Sequence, residues 1–375
     1  MNANQRLAKQ TRQTHEIYDP AKPFGRQISD LVRLTHPANG PIKVMQLGKR
    51  FRVYKTDMDR FSELTGLDGI GTKGLLHWQM GTMEAGAQDA FAMVADDLIE
   101  SGHVLVLMQD HIQIQEENGE RILRIVNGLV NLARANPWDL EGGMKHPIVI
   151  TAGETAIINT MQGFEVGITG TGYTLKGHEI AANIAIGDVL IGIGSSGAHS
   201  NGYSFLRKEL LGRQNLKLDD QAPWNRNTTV GAELTIPTRT YLPAIKELID
   251  YASKQSGFAK DLIHGMVHIT GGGFSKLREL LPKGGDYNIY IEGADSLKPQ
   301  SIFTYSFETG GIKSKDMYNC FNNGVGYFVA VDKAFASLAV NILGKHFPTA
   351  EVGTVTHGKL KVLVRSDYDN EIVEF

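Results

Sequence analysis

The sequence predicts a mixed α/β (α+β) fold divided into two domains. Apolar runs typical of strands alternate with segments of helical periodicity along most of the chain. The length of 375 residues exceeds what a single domain usually contains. A polar turn at 176–179 is the best candidate boundary. We therefore expect an N-terminal extension and lead-in at 1–60, a first domain at 61–178 and a second at 179–375.

The first domain is predicted from its apolar spacing. After a short strand at 51–54, residues 64–75 are punctuated by glycine and are predicted to form a loop. Helical spacing follows at 88–101 and 120–135, and a strand is predicted between them at 103–112. A strand that runs into a glycine turn near residue 153 and a further strand at 164–175 complete this domain.

The second domain repeats the alternation of strands and helices. Strands are predicted at 188–193, 286–292, 326–331 and 359–365, helices at 203–211, 239–252 and 333–345, and a loop followed by a helix at 268–281.

Composition limits the function classes. A formal charge of −3 gives no electrostatic basis for binding nucleic acid or an acidic membrane. The single cysteine, Cys320, excludes an internal disulfide framework and a multi-cysteine metal site. The N-terminal segment has no apolar signal core, and no run approaches the length of a membrane span. We therefore expect a cytoplasmic protein.

The most informative stretch is 192–208, GIGSSGAHSNGYSFLRK. An apolar run typical of a buried strand leads into a glycine-rich turn and then into helical spacing, an arrangement suited to cradling phosphate. Arg207 and Lys208 follow on the predicted helix. The turn is dense in hydrogen-bonding side chains, which are those of Ser195, Ser196, His199, Ser200, Asn201 and Tyr203.

Four further segments have residues suited to chemistry. DGIGTK at 68–73 can place a carboxylate on Mg²⁺ and a lysine on phosphate, although such loops are often plain turns. Asp96-Asp97 suits Mg²⁺, although taken alone the pair is more typical of a solvated helix surface. Glu154 follows an apolar strand, where it could bind a ligand or occupy a simple turn. His268 precedes three glycines that open a helix, so it could serve as an acid or base or be purely structural.

Together these segments resemble the aminoimidazole ribonucleotide synthetase family, also called phosphoribosylformylglycinamidine cyclo-ligase. The shared motifs are the DG-x-GTK loop, a GETA segment, GSSG-x-HSNGYS-x-x-RK, P-T-R-x-Y, H-x-TGGG and MY-x-x-FN-x-GVG. They run in the family's order over residues 64–332. The resemblance implies a homodimer in which the N-terminal sheets complete a barrel, with a C-terminal sheet packed against helices.

The resemblance also implies the activity, the cofactors and the site. The family closes the imidazole ring of formylglycinamidine ribonucleotide with ATP and Mg²⁺, giving 5-aminoimidazole ribonucleotide. Mg²⁺ would be held by Asp68, Asp97 and Glu154, and His268 or His199 would move protons. ATP would contact Gly69, Gly71, Thr72, Lys73 and Gly153. The substrate would contact Ser195, Ser196, His199, Ser200, Asn201, Tyr203, Arg207, Thr270, Gly271 and Gly272.

Several departures from the family pattern fall in the N-terminal half. No GGFG-type loop precedes the DG-x-GTK loop, the family's Asn-Asp pair is Asp96-Asp97 here, and residues 136–147 resemble an insertion. A catalytically silent or altered-substrate homologue of the same ATP-binding superfamily is therefore the alternative. Related selenophosphate synthetases and hydrogenase maturation factors use a cysteine near one terminus, which this chain lacks.

Overall fold

The computed structural model describes residues 24–47, 50–140 and 143–375. Residues 1–23 of the predicted N-terminal extension lie outside the described residues. The described part opens with helix α1 (Gly25–Arg33) and an antiparallel hairpin of β1 (Ile42–Leu47) and β2 (Arg50–Lys55), which contains the strand predicted at 51–54.

The first half is built on a four-stranded sheet in the order β3-β6-β4-β5. Only β4 and β5 run parallel to each other. The strands are β3 (Phe61–Gly69), β4 (Val104–Ile114), β5 (Val149–Ile157) and β6 (Phe164–Leu175), and the helices are α2 (Lys73–Met80), α3 (Met83–Ile99) and α4 (Gly119–Ala135).

Helix α3 packs directly on this sheet. Phe91, Val94 and Leu98 of α3 are buried, in agreement with their predicted spacing. The sheet carries glycine where the helix approaches most closely, since a Cβ at Gly170 would lie 2.4 Å from a methyl group of Val94. The close contact fixes the position of the carboxylates at the end of α3.

The second half is built on a seven-stranded sheet in the order β10-β12-β7-β13-β11-β14-β15. Its centre is apolar, and every residue of β7 and β12 is buried. The strands are β7 (Val189–Gly194), β10 (Ile263–His268), β11 (Tyr287–Ile291), β12 (Val325–Val331), β13 (Thr349–His357), β14 (Lys361–Arg365) and β15 (Ile372–Glu374).

Helices and one small hairpin complete the second half. The hairpin is β8 (Gln221–Ala222) with β9 (Asn225–Thr229). Helix α5 (Tyr203–Leu206) continues as a π-helix (Arg207–Arg213), and Gly273–Leu280 is a 3₁₀ helix. The other helices are α6 (Val230–Leu234), α7 (Leu242–Ser256), α8 (Ser301–Gly310), α9 (Ser314–Cys320) and α10 (Ala336–Leu343). No helix in the described ranges is long and apolar enough to cross a membrane.

Two local predictions are wrong. Residues 64–69 were expected in a loop but belong to strand β3, because pairing with β6 accommodates the glycines. The glycine turn expected near residue 153 is absent too, since Gly153 and Glu154 lie within strand β5. Both segments therefore present their acidic residues from strands of one sheet.

Candidate functional site

Lys73 lies in the interior between the two halves of the chain. Its side chain is fully buried, and Nζ donates to Asp89 Oδ1 at 2.9 Å and to the carbonyl oxygens of His199 and Ile236, both at 2.6 Å. An ammonium group has three N–H donors, and all three are used here. The ammonium of Lys73 is therefore fully engaged within the protein, and contact between Lys73 and ATP phosphates stays a prediction.

Asp89 is the partner that makes this burial possible. It accepts hydrogen bonds from Lys73, from His77 Nε2 at 2.7 Å and from both the backbone N–H and the hydroxyl of Thr238. Although burial acts to raise it, Lys73 and His77 hold the pKa of Asp89 well below its usual range. The charged pair joins α2 and α3 to the P-T-R-x-Y segment of the second half.

The polar residues of the 194–203 loop mostly bond to other loops of the protein. Ser195 Oγ donates to Asn322 Oδ1, Ser196 Oγ to Pro237 O, Asn201 Nδ2 to Ile269 O and Tyr203 Oη to Leu234 O, and Ser200 pairs with Thr238. The structure thus uses this motif to hold four loops together.

His199 is also internal. Its backbone is left-handed with φ 56°, and Nε2 accepts the Ser196 N–H at 3.2 Å, so the ring proton is on Nδ1. Burial, reinforced by the positive charges of His268 and Lys73, lowers the pKa of His199 well below its ordinary value. The Nε2 lone pair of this neutral ring is already used by the Ser196 N–H, so His199 has no free base nitrogen here and its predicted role in proton transfer stays a prediction.

The predicted residues Asp68, Asp97 and His268 come together where the two halves meet. His268 Nδ1 lies 2.9 Å from Asp97 Oδ1, while its Nε2 is buried and has no partner among the described residues. Burial acts to lower the pKa of His268, but the hydrogen bond and charge of Asp97 outweigh it, so the pKa is raised. Burial raises the pKa of Asp68, and the nearby charge of Asp97 adds to the shift.

Three further residues border this cluster, and two of them, Glu100 and Lys276, were not predicted from the sequence. Glu100 accepts the backbone N–H of His268, and burial raises its pKa to about 8. Asp96 is fully buried and accepts the Leu242 N–H at 2.7 Å, so a solvated surface is the wrong reading for it. Lys276 donates to Thr270 Oγ1 at 2.8 Å and places a positive charge near Asp68. Gly271 and Gly272 beside it are exposed.

A second acidic pair lies further along the same sheet. Across the strands Asp68 pairs with Ile168, Ile168 with Asp110, and Asp110 with Gly153, next to Glu154. Burial raises the pKa of Asp110 to about 7, and the charge of Glu154 adds to the shift. Asp110 was not predicted. The one sequence feature that marks Asp110 is that it is an aspartate within a largely apolar strand.

The predicted metal ligands therefore do not form one site. Asp68 lies near Asp97, whereas Glu154 lies near Asp110, because strands β6 and β4 separate β3 from β5. Within the described ranges no group of three or more His, Cys, Asp or Glu side chains could hold a metal ion.

The glycine loop after β3 already holds an anion of its own. Glu165 Oε1 accepts the N–H groups of Ile70 and Gly71 at 2.8 and 3.1 Å, and the Gly69 N–H donates to Asp68. Burial raises the pKa of Glu165 to about 6. Gly69 and Gly71 are among the residues predicted to contact ATP, and Gly71 and Thr72 are the exposed residues of that set in this loop.

Comparisons with known proteins place this arrangement in a family. Residues 185–365 match the family described as AIR synthase related protein, C-terminal domain. The phosphoribosylformylglycinamidine cyclo-ligase of Methanobrevibacter smithii is 33% identical over 312 residues, which cover 81% of this chain and 83% of that protein.

Solved structures with the same fold are more distant in sequence. E. coli HypE aligns with a TM-score of 0.60 at 19% identity, covering 93% of this chain and 96% of that one. A hydrogenase maturation protein HypE in complex with ATP aligns with a TM-score of 0.57 at 14% identity, covering 93% of both chains. The shared motifs and the identity with the curated relative lead to one conclusion. The chain belongs to the phosphoribosylformylglycinamidine cyclo-ligase family, whose members are aminoimidazole ribonucleotide synthetases.

Proposed function

We propose that this protein catalyses the ATP-dependent cyclisation of formylglycinamidine ribonucleotide to 5-aminoimidazole ribonucleotide in purine biosynthesis. The γ-phosphoryl group passes to the formyl oxygen, and ADP leaves. A nitrogen of the same substrate then attacks the formyl carbon, and the C–O bond to phosphate breaks as that nitrogen loses a proton. The activation is needed because an amide oxygen is otherwise a poor leaving group.

The observation that carries the proposal is the meeting of Asp68, Asp97 and His268. These residues come from motifs of both halves, and the fold brings them to one place although 171 residues separate Asp97 from His268. In the neutral form of His268, the Nδ1–H donates a hydrogen bond to Asp97 and the lone pair is on Nε2, where the raised pKa strengthens it as a base. His268 is therefore the residue proposed to take the proton from the attacking nitrogen.

Positive charge for a phosphate group is assigned to Lys276 in place of Lys73. Lys276 donates to the Thr270 hydroxyl, and it lies beside the exposed Gly271 and Gly272. Backbone N–H groups of glycines can approach a phosphate closely because no Cβ intervenes. Loop 270–276 is therefore proposed to contact the phosphoryl group that passes from ATP to the substrate.

The acidic pairs fit Mg²⁺ by their chemistry. The charge of Asp97 helps to raise the pKa of Asp68, and the charge of Glu154 helps to raise the pKa of Asp110. A divalent cation offsets such repulsion between carboxylates. Mg²⁺ prefers oxygen ligands and is commonly held by one or two carboxylates together with substrate phosphates. Mg²⁺ bound here would neutralise charge that develops on the transferred phosphoryl group. Because Glu165 adds a third acid next to Asp68, the site repels nucleotide that carries no metal.

The test is a turnover assay with purified protein, formylglycinamidine ribonucleotide, ATP and Mg²⁺. We expect aminoimidazole ribonucleotide and ADP in equal amounts. His268→Asn is expected to abolish product while ATP still binds. ATP hydrolysis that depends on a different amide substrate, without this product, would favour the altered-substrate alternative. Absence of both activities would favour the silent homologue.

A further inference from the structure

A groove lies between the two halves of the chain, on the faces of two helices. It encloses about 610 Å³, a volume in the range of small-molecule sites. One wall is formed by Ser204, Arg207, Lys208 and Leu211, and the other by Leu75, Gln79 and Gln162. None of Asp68, Asp97, His268 or the 270–273 loop lines it. The groove is therefore separate from the acidic cluster.

The first wall is a single helix face. Ser204, Arg207, Lys208 and Leu211 are spaced three, four and seven residues apart, as expected for neighbours on one side of a helix. From Arg207 onward the backbone is a π-helix, a form that occurs often at functional sites. Two basic side chains and one hydroxyl group are therefore directed into the same space.

The positive charge of this wall is not neutralised by the described part of the protein. Neither Arg207 nor Lys208 forms an ion pair with a described residue, and no Asp or Glu lines the groove. The acid of the same segment, Glu209, is buried and turned away, where it binds Arg213 and Gln214. A guanidinium and an ammonium on one face favour a phosphate group.

The rest of the lining fits the remainder of a ribonucleotide-sized ligand. Gln79 and Gln162 offer amide donors and acceptors, while Leu75, Leu76 and Leu211 offer an apolar surface. Polar groups with fixed hydrogen-bonding geometry above an apolar floor suit a sugar or a heterocyclic ring.

We propose that this groove binds the phosphate group of a small ribose-phosphate ligand through Arg207, Lys208 and Ser204. The phosphate could belong to the substrate, which would deepen the proposed function and rests on it, or to a separate nucleotide. Binding itself is measured without turnover, so failure of the cyclisation assay and failure of this site are separate results.

The probe is ribose 5-phosphate, titrated calorimetrically into the full-length protein. The wild type is expected to bind it saturably, and Arg207→Ala/Lys208→Ala to weaken binding about tenfold or more, as loss of charged hydrogen bonds predicts. Lys217→Ala/Arg226→Ala is the matched control, because it removes the same charge from exposed residues outside the groove. Equal binding by the two double variants, or no saturable binding by the wild type, would overturn the proposal.

A second variant keeps the test independent of folding. Ser204→Asp places a negative charge in the first turn of α5, where acids stabilise a helix, yet it should repel the phosphate. Ser204→Asn is its neutral counterpart and should bind nearly as the wild type does. A larger loss of affinity for ribose 5-phosphate in Ser204→Asp than in Ser204→Asn supports the site. Equal affinities of the two variants contradict it.

Competition then identifies the source of the phosphate. Displacement of ribose 5-phosphate by formylglycinamidine ribonucleotide assigns the groove to the substrate. Displacement by AMP, with no effect of formylglycinamidine ribonucleotide, assigns it to a separate nucleotide.

Discussion

His268 shows how one side chain depends on both halves of the molecule. Its ring is fixed by Asp97 of α3, its backbone N–H is held by Glu100 of the same helix, and its own strand belongs to the second sheet. The ring also stacks against Tyr327 of β12, with centroids 5.8 Å apart. The orientation of Nε2 is therefore set by contacts that cross the junction.

Asp97→Asn tests this orientation. An amide can present its NH₂ group to Nδ1, which would favour the wrong tautomer and place the ring proton on Nε2. We expect kcat for cyclisation to fall about 100-fold, the scale of general acid–base catalysis, without recovery at high Mg²⁺. Asp219→Asn, at an exposed site, serves as control. Full activity of Asp97→Asn at ordinary Mg²⁺ would contradict the assignment.

Gly326 tests the packing of Tyr241, whose ring lies against that of His268. A Cβ at Gly326 would lie 2.1 Å from Tyr241 Oη and 2.5 Å from His199 Cε1, so alanine must displace buried groups. We expect Gly326→Ala to lower the free energy of unfolding by about 1–3 kcal/mol in urea titrations. Gly167→Ala, a strand glycine with open space around it, should change stability by less than about 1 kcal/mol. Similar losses in both variants would refute this account.

Individual site residues could be predicted from the sequence where a reactive residue type stood within a recognisable motif. Asp68, Asp97 and His268 were predicted as site residues and are brought together. Asp110 and Glu165 were not predicted, because an acid within an apolar strand carries no local signal of what lies across the sheet. The internal ion pair of Lys73 was not predicted, because a lysine after glycines fits phosphate binding and an internal ion pair equally well.

The 194–203 loop acts as a scaffold at the scale of elements. Its side chains bond segments near residues 236, 269 and 322, and it supplies the His199 carbonyl that accepts from Lys73. These polar side chains thus have a structural role, because they form the hydrogen bonds that water cannot supply to the buried loops. The predicted strands β4, β6, β7 and β12 and the helix α4 are confirmed within a few residues. Strand β3 was not predicted, because its glycines were interpreted as evidence of a loop.

Lys73→Met is the test of this scaffold. Removing one partner of a buried ion pair leaves the charge of Asp89 uncompensated, which typically costs about 3–5 kcal/mol. We expect a loss of that size in chemical unfolding. The control is Lys55→Met, which breaks an exposed pair with Glu63 and should cost at most about 1 kcal/mol. Equal effects of the two substitutions would show that Lys73 does not anchor the halves.

For the whole molecule, the feature that bears on the predicted dimer is the edge of the first sheet, as the described residues form it. Strand β3 is an edge strand, and its Leu67 and Leu64 are 74% and 39% exposed. An exposed apolar edge normally has a partner. The family resemblance implies a homodimer through this sheet, which remains a prediction for this chain.

Leu67→Glu tests the dimer. Placing a charge where a leucine would be buried should raise the dimer dissociation constant at least about tenfold in sedimentation equilibrium. Leu34→Glu, also at an exposed leucine, is the control and should leave assembly unchanged. A Leu67→Glu protein that sediments as the wild type does would exclude β3 from the interface.

The internal ammonium of Lys73 also sets an order for folding. Its two carbonyl acceptors lie 126 and 163 residues further along the chain. While the protein is being synthesised, the first half can form its sheet, but it cannot enclose Lys73 until residue 236 has emerged. Until then the charge must stay in water, which keeps α2 loosely docked. A fragment that ends before this point would therefore lack a closed interior, so the two halves mature together rather than one after the other.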